Sequence, residues 1–440
     1  MPILRYFEHK CPLVLTPHVV RQRPLREVAN ELNASRRSLD AVLQEQHYRL
    51  ACWRHGDSQL NYRRYSNIGT LAGIRVEEPV VFDAVHSCVL RWWRAGWVDG
   101  FRVDHLDCLR DPATYLRRLR AAVPGAWLVV EKILESHEQL PDDWPVEGTS
   151  GGDALNPVGS LFVDPAGEAP MTEFYHRFTG EPTDCTAVVR ESQRLVLREL
   201  LATEASRLTQ CLVKAAARNW RGQPLMQHHL REALIEVIAC FPVYRTYIPE
   251  QGNTVSEADE LVISRAVDAA RQERPDLQPE LFELIEDLLL LRWDGAEERE
   301  FVMRFQQLAG SVMAKGVEHT ACYRYNRLIA LNTVGGDPGQ FGAPPERFHL
   351  HCLKNQQRWP HGLLAPSTHD TLSGEDARAR LSLLSEIPSE WAEAVLRWAE
   401  INHRYRSGRI PDRNLEYFFY QTLVGAWPLE WAPESFPTAW

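Results

Sequence analysis

The chain has 440 residues, 44% hydrophobic and 25% charged, the profile of an ordinary globular protein with apolar material for a sizeable core. Its 49 basic and 59 acidic residues leave a net charge of −10, which argues against a nucleic-acid partner held by a broadly basic surface. No stretch approaches the roughly 20 unbroken apolar residues of a membrane span, and no charged segment precedes an apolar core near Met1. A cytoplasmic chain with no membrane contact is expected. The nine cysteines are scattered without a C-x-x-C, so reduced thiols are expected. His228-His229 and His349-Leu350-His351-Cys352 lack partners at a metal-binding spacing, so no metal or other cofactor is expected.

Residues 1–79 read as irregular and rich in Arg, Tyr and Trp, with one helix over 25–45 after Pro24. Phe82, Val85, Val89, Leu90 and Trp93 recur at helical spacing over 80–95, and Gly96 stops that helix. Trp97 to Val103 reads as a buried strand ending at Asp104, with Trp92, Trp93 and Trp97 assigned to the core. Asp111-Pro112 opens a helix with a good N-cap and a first-turn proline, and Pro124-Gly125 closes it. Trp127 to Val130 is a second apolar strand, ending at Glu131. Strand, helix and strand in about 35 residues make a parallel crossover unit, which delivers both strands' carboxyl ends to one rim. From 185 to about 315 the text becomes helical, with helices over 188–218, 228–240, 256–274 and 279–291. Gly362 to Ala365 reads as a third short strand, leading to Ser367-Thr368-His369-Asp370 and a helix from Gly374 to Leu384. Four segments result: 1–79, a crossover region 80–184, a helical insertion 185–315, and 316–440.

Asp104, Glu131 and Asp370 therefore stand at the ends of three strands. Breaking a glycosidic bond passes through a cationic, oxocarbenium-like state, which needs a carboxylate on one side and a proton donor on the other. Arg102 lies two residues before Asp104, so strand alternation puts both side chains on one face and lets the guanidinium hold Asp104 ionised. Glu131 follows an apolar run, and burial raises a carboxyl pKa as a general acid requires. The same trio would also serve as a salt-bridge network at a rim.

Gly100-Phe101-Arg102-Val103-Asp104, Val130-Glu131-Lys132 and Thr368-His369-Asp370 resemble three signature segments of the alpha-amylase clan, glycoside hydrolase family 13. Several longer stretches resemble the maltooligosyl trehalose synthases within it. They include Asp104-His105-Leu106-Asp107, Glu131-Lys132-Ile133-Leu134, Leu161-Phe162-Val163-Asp164-Pro165, Tyr323-Arg324-Tyr325-Asn326-Arg327-Leu328, Val334-Gly335-Gly336-Asp337-Pro338 and Gln421 to Pro428. The resemblance implies an α/β fold, a (β/α)₈ barrel of the amylase type with a large helical insertion. It implies Asp104 as nucleophile, Glu131 as general acid/base and Asp370 as transition-state stabiliser. Arg102, His105, His369, Lys132, Tyr62, Arg63 and Arg64 would bind sugar. The implied reaction turns the reducing-end α-1,4 bond of a maltooligosaccharide into an α,α-1,1 bond, with no cofactor.

The clan's first signature is absent, and the resemblance begins after three barrel strands and stops before the last, so a partial barrel is expected, with a separate chain as one source of the missing strands. Local departures also stand out. Ser150-Gly151-Gly152-Asp153-Ala154 lacks two expected aromatics, and Leu372 replaces a lysine. His319 replaces an aspartate, Cys108 a glycine, and Tyr65-Ser66 a Phe-Phe pair. The alternatives are a glucan hydrolase of the same clan and an inactive or glucan-binding remnant.

Overall fold

The computed structural model describes residues 2–16, 19, 23–52, 60–220, 226–252 and 254–428. The chain divides into two units, residues 1–61 and 62–440. In the first, β1 (Ile3–Tyr6) and β2 (His9–Pro12) form an antiparallel hairpin in which Tyr6 pairs with His9. The single helix expected over 25–45 is two, α1 (Leu25–Ala34) and α2 (Arg36–Gln44). Ser35 divides them: its backbone is extended, and its side chain accepts the Ser38 N–H. A hydroxyl that can satisfy the first turn of a new helix competes with continuing the old one.

The second unit opens with a short hairpin, β3 (Arg64–Tyr65) against β4 (Ile68–Ala72). Helix α3 (Pro79–Arg94) follows, burying Phe82, His86 and Leu90. Strand β5 (Gly100–Val103) is shorter than the sequence suggests, because the N–H of Trp97 returns to the Trp92 carbonyl and closes the helix end around Gly96 at φ 69°. Trp92 and Trp97 are exposed, against the core positions expected of them, while Trp93 packs on the core. Helix α4 (Pro112–Ala122) starts as expected, with the Asp111 carboxylate accepting the Thr114 N–H at 2.9 Å.

Strand β6 (Trp127–Val130) pairs in parallel with β5, from Gly100 opposite Trp127 to Val103 opposite Val130. The approach is close enough at Gly100 that a Cβ would sit 2.1 Å from the Trp127 carbonyl oxygen. On its other side β6 pairs in parallel with the two-residue β7 (Gly148–Thr149), which the sequence reading missed. The expected strand at Gly362–Ala365 is an extended segment instead. Leu363 N–H donates to Thr149 O at 3.1 Å and Ala365 N–H to Gly151 O at 3.4 Å, an advance of two residues on both sides that keeps the parallel sense. No regular ladder forms there: Leu364 is exposed, so the segment lacks the covered faces that a parallel strand needs.

Helix α5 (Gly152–Ser160) leaves the end of β7, and α6 (Glu168–Thr179) follows. The helical region is α7 (Cys185–Arg198), α8 (Ala202–Asn219), α9 (Gln227–Ala239), α10 (Glu257–Glu273), α11 (Pro279–Leu289) and α12 (Ala296–Met313). The helix expected over 188–218 breaks between Arg198 and Ala202. Helix α12 escaped the sequence reading because polar residues sit on its buried side. Gln306, fully buried, bonds both the N–H and the C=O of Ile248. A π-helical stretch continues it over Ala314–Ala321. Helices α13 (Pro345–Arg358), α14 (Glu375–Ser382), α15 (Pro388–Asn402) and α16 (Arg413–Ala426) complete the unit. No residue of α13 is fully buried.

Three apolar cores hold this unit. One lies among α7 to α12, one joins α6, α15 and α16, and the third packs β5 and β6 between α3 and α4. Among the described residues no helix is long and apolar enough to cross a membrane. Leu128, Val129 and Val130 are fully buried in the third core or against it. Truncating Leu128→Ala removes three heavy atoms' worth of contacts beneath the rim, and chemical denaturation is expected to show a loss of about 2–5 kcal/mol.

Candidate active site

The parallel pairing of β5 and β6 sets the site. Beyond the last register pair, the Glu131 N–H donates to the Val103 carbonyl at 2.7 Å, so Asp104 and Glu131 leave adjacent strands side by side. His105 then turns back through a left-handed conformation, φ 51° and ψ 42°, rare for a side-chain-bearing residue. This turn aims its own N–H at Glu131 Oε2, 2.8 Å away. Single donor atoms of Asp104, His105 and Glu131 all lie within 4.8 Å of one another. Arg102 reaches Asp104 as strand alternation predicts, with Nη1 2.6 Å from Oδ1.

Asp370 arrives from the extended segment beside β7. Its N–H donates to the Thr368 hydroxyl at 3.2 Å, and His369 Nε2 lies 3.4 Å from its Oδ2. Its charge is felt at the same place as the other two acids. Burial, then the charges of Cys108, Asp104, Glu131 and Asp370, together raise the pKa of the Tyr65 hydroxyl. Glu318, on the π-helical stretch, is pushed up to about 7 by burial and by the charges of Glu131 and Asp370, opposed by a hydrogen bond from Tyr244. The Glu131 carboxyl itself is raised, mainly by burial and with help from Asp107 and Asp104, while the His105 N–H opposes the shift.

Other expected sugar contacts are placed differently. The Lys132 ammonium is fully buried, 2.9 Å from Glu138 and 3.5 Å from Asp107, and it lies over the rings of Tyr244 and Tyr247. It is a cation beneath the rim, with no surface open to a sugar. Arg64 is buried as well, bonding Glu204 at 2.8 Å and the Leu200 carbonyl at 2.7 Å. Arg63 donates to the Cys108 carbonyl at 3.0 Å, and the half-exposed Tyr62 hydroxyl donates to Gly69. Of the expected binding residues, Arg102 reaches Asp104, His105 reaches both Asp104 and Glu131, and His369 reaches its neighbour Asp370.

The sequence reading passed over Asp107, Glu138, Tyr247 and Glu318. Asp107 accepts from the Tyr247 hydroxyl and faces Lys132, so it anchors the loop after β5 to the helical region. Its one signal was a carboxylate three residues past Asp104 in an otherwise apolar stretch. Tyr247 and Glu318 come from sequence more than 100 residues away and carry no local pattern. A cavity of about 860 Å³ is lined by residues from the segments after β6 and β7, among them Glu135 and Asp153, together with Asp337 and Pro366. None of the three acids lines it.

No family profile matches the chain. A Mycobacterium tuberculosis protein described as a maltooligosyl trehalose synthase is 38% identical over 390 residues, which is 88% of this chain and 47% of that protein. The structure of maltooligosyltrehalose synthase from Arthrobacter ramosus superposes with a TM-score of 0.79 at 37% identity, over 97% of this chain and 50% of that one. The chain is a homologue of the maltooligosyl trehalose synthases. A Sulfolobus tokodaii structure described as a hypothetical maltooligosyl trehalose synthase gives a TM-score of 0.74 at 30% identity. The chain spans about half the length of the curated relatives it matches. Within that half, α/β architecture and helix-rich character accord with the synthase structures.

Replacing Lys132 by Met would strand two buried carboxylates, and equilibrium unfolding is expected to show a loss of about 3–5 kcal/mol, the usual cost of removing one partner of a buried pair. Stability should also depend on pH. Glu318, near 7, and Glu135, pushed up to about 8 first by burial, both sit above the free glutamate value of 4.5. The folded state therefore holds protons that the unfolded chain releases, and stability present below about pH 4.5 is lost as pH rises through 7 to 8. The thermal midpoint should fall between pH 5 and 8.5, and Glu318→Gln should flatten the part of the fall near 7.

Proposed function

We propose that this chain is a portion of a glucan-rearranging enzyme built on a partial (β/α)₈ barrel, in which β5, β6, β7 and the 362–365 segment are neighbouring barrel strands. Its reaction moves the reducing-end glucose of a maltooligosaccharide from an α-1,4 to an α,α-1,1 linkage. The observation that carries the reading is the placement of Asp104 and Glu131 at equivalent ends of paired parallel strands, with one carboxylate oxygen of each within 4.8 Å of the other. Retaining glycosidases hold their carboxyl groups about 5–5.5 Å apart, and inverting ones hold them farther apart to admit a water.

In the first displacement Asp104, ion-paired with Arg102, attacks the anomeric carbon of the penultimate residue. The C1–O bond to the terminal glucose breaks, and Glu131 delivers its raised-pKa proton to the departing O4. Asp370 faces the positive charge that develops on the ring. Glu131 is then a carboxylate. In the second displacement it takes the proton of the freed glucose's anomeric hydroxyl as that oxygen attacks the same carbon and Asp104 leaves. Two inversions give net retention, and Glu131 ends protonated.

The outcome turns on water. The side chains of Asp104 and Asp370 are 42% and 46% exposed, which favours hydrolysis as the second reading for this chain by itself. Isomerisation needs that rim covered, and a separate chain supplying further barrel strands beside β5 would do so. A cytosolic location belongs to the same reading.

Incubating the chain with maltopentaose and resolving the products tests this. A nonreducing isomer supports the synthase reading, glucose with maltotetraose supports hydrolysis, and unchanged sugar rejects both for the isolated chain. Asp104→Asn should lower either activity by roughly 10⁴-fold or more, the scale on which loss of a covalent nucleophile acts.

A further inference from the structure

Tyr65 stands at the tip of the β3–β4 hairpin, before Ser66 at φ 50°, and its hydroxyl lies 2.6 Å from His105 Nε2. The rings pack with centroids 5.1 Å apart. Around the imidazole, Nε2 is 3.4 Å from Asp104 Oδ2 and Nδ1 is 3.7 Å from Glu131 Oε2, the same oxygen that accepts the His105 backbone N–H. The resemblance calls for phenylalanine at position 65, so the hydroxyl is a group this chain adds.

Two proton arrangements fit these distances. With the ring proton on Nε2, the imidazole donates to the phenol oxygen. The Nδ1 lone pair then faces the Glu131 carboxylate. With the phenol donating to Nε2, the ring proton sits on Nδ1 and points at Glu131, and every proton has somewhere to go. The second arrangement costs less: its Nε2 lone pair, although 3.4 Å from Asp104 Oδ2, is matched by the phenol proton, whereas the first leaves the Nδ1 lone pair unmatched against Glu131 Oε2.

We propose that Tyr65 is a positioning residue of this site: by donating to His105 Nε2 it holds the imidazole neutral with its proton on Nδ1, and so assigns that donor to Glu131 instead of Asp104. The assignment rests on the acid/base reading of Glu131. A neutral donor suits a carboxyl that must alternate between protonated and ionised forms. An imidazolium at the same distance would add a full positive charge, favour the carboxylate throughout, and take away the proton needed by the leaving glucose. Without the phenol, Nε2 is free to carry the proton toward Asp104, and the imidazole serves the other acid.

Nitrogen NMR of the chain labelled with ¹⁵N-histidine reads this directly, at about pH 8, where ordinary histidines are neutral. His105 is assigned by the signals lost in His105→Gln. The expected result is a protonated-type shift at Nδ1 and an unprotonated-type shift at Nε2, with the pattern reversed in Tyr65→Phe. A wild-type His105 protonated on Nε2 or on both nitrogens overturns the proposal, as does a tautomer that Tyr65→Phe leaves unchanged. The measurement needs no turnover. Failure of the maltopentaose assay therefore counts against the reaction alone, and failure of the tautomer switch counts against Tyr65 alone. Where turnover is measured, Tyr65→Phe should lower kcat about tenfold with KM changed less than twofold; equal kcat values would also overturn it.

Discussion

Everything at the rim depends on one hydrogen-bonded register, Val103 against Val130, extended by the Glu131 N–H to the Val103 carbonyl. Parallel pairing makes the two strands end together, so the carboxylates that follow them emerge as neighbours. A shift of one residue would send Asp104 to the opposite face of the sheet, carrying Arg102 with it and away from Glu131. The close approach at Gly100 pins the other end of the same pair, where any side chain would collide with the Trp127 backbone.

Beneath the rim the protein holds an unusual density of buried polar groups. Lys132 sits between Asp107 and Glu138 under two tyrosine rings, and Arg245, also fully buried, bonds the carbonyls of Asp107 and Leu109. These contacts tie the loop after β5 to the 244–247 segment of the helical region. Buried cations of this kind add little net stability, but they allow few alternative arrangements, which is what a pair of acids needing sub-ångström placement requires. Glu318 and Tyr244 extend the same network from the π-helical stretch, a local geometry that recurs where a helix is bent to serve a site.

The parts legible in the sequence are those governed by local rules. Asp111-Pro112 announced α4, the apolar run at 127–130 announced β6, and alternation placed Arg102 with Asp104. What escaped was decided by partners distant in sequence. Two residues are too few to give β7 a period, and the buried Gln306 hid α12 by interrupting its apolar stripe. Lys132 read as a sugar contact because it follows Glu131 directly, whereas the chain turns it inward to meet acids six residues on and twenty-five before. Tyr65 was visible only as a departure from the expected phenylalanine, and its meaning depends on an imidazole forty positions away.

Helix α13 contributes no buried residue and lies along the 860 Å³ cavity, immediately before the segment that carries Asp370. The three acids are therefore anchored unequally. Two grow from strands sealed in an apolar core, while the third hangs from a stretch whose support is mostly hollow. Local unfolding would start there, leaving nucleophile and proton donor in place but the cationic ring unattended. An assembly that filled the hollow would tighten the third acid without touching the other two.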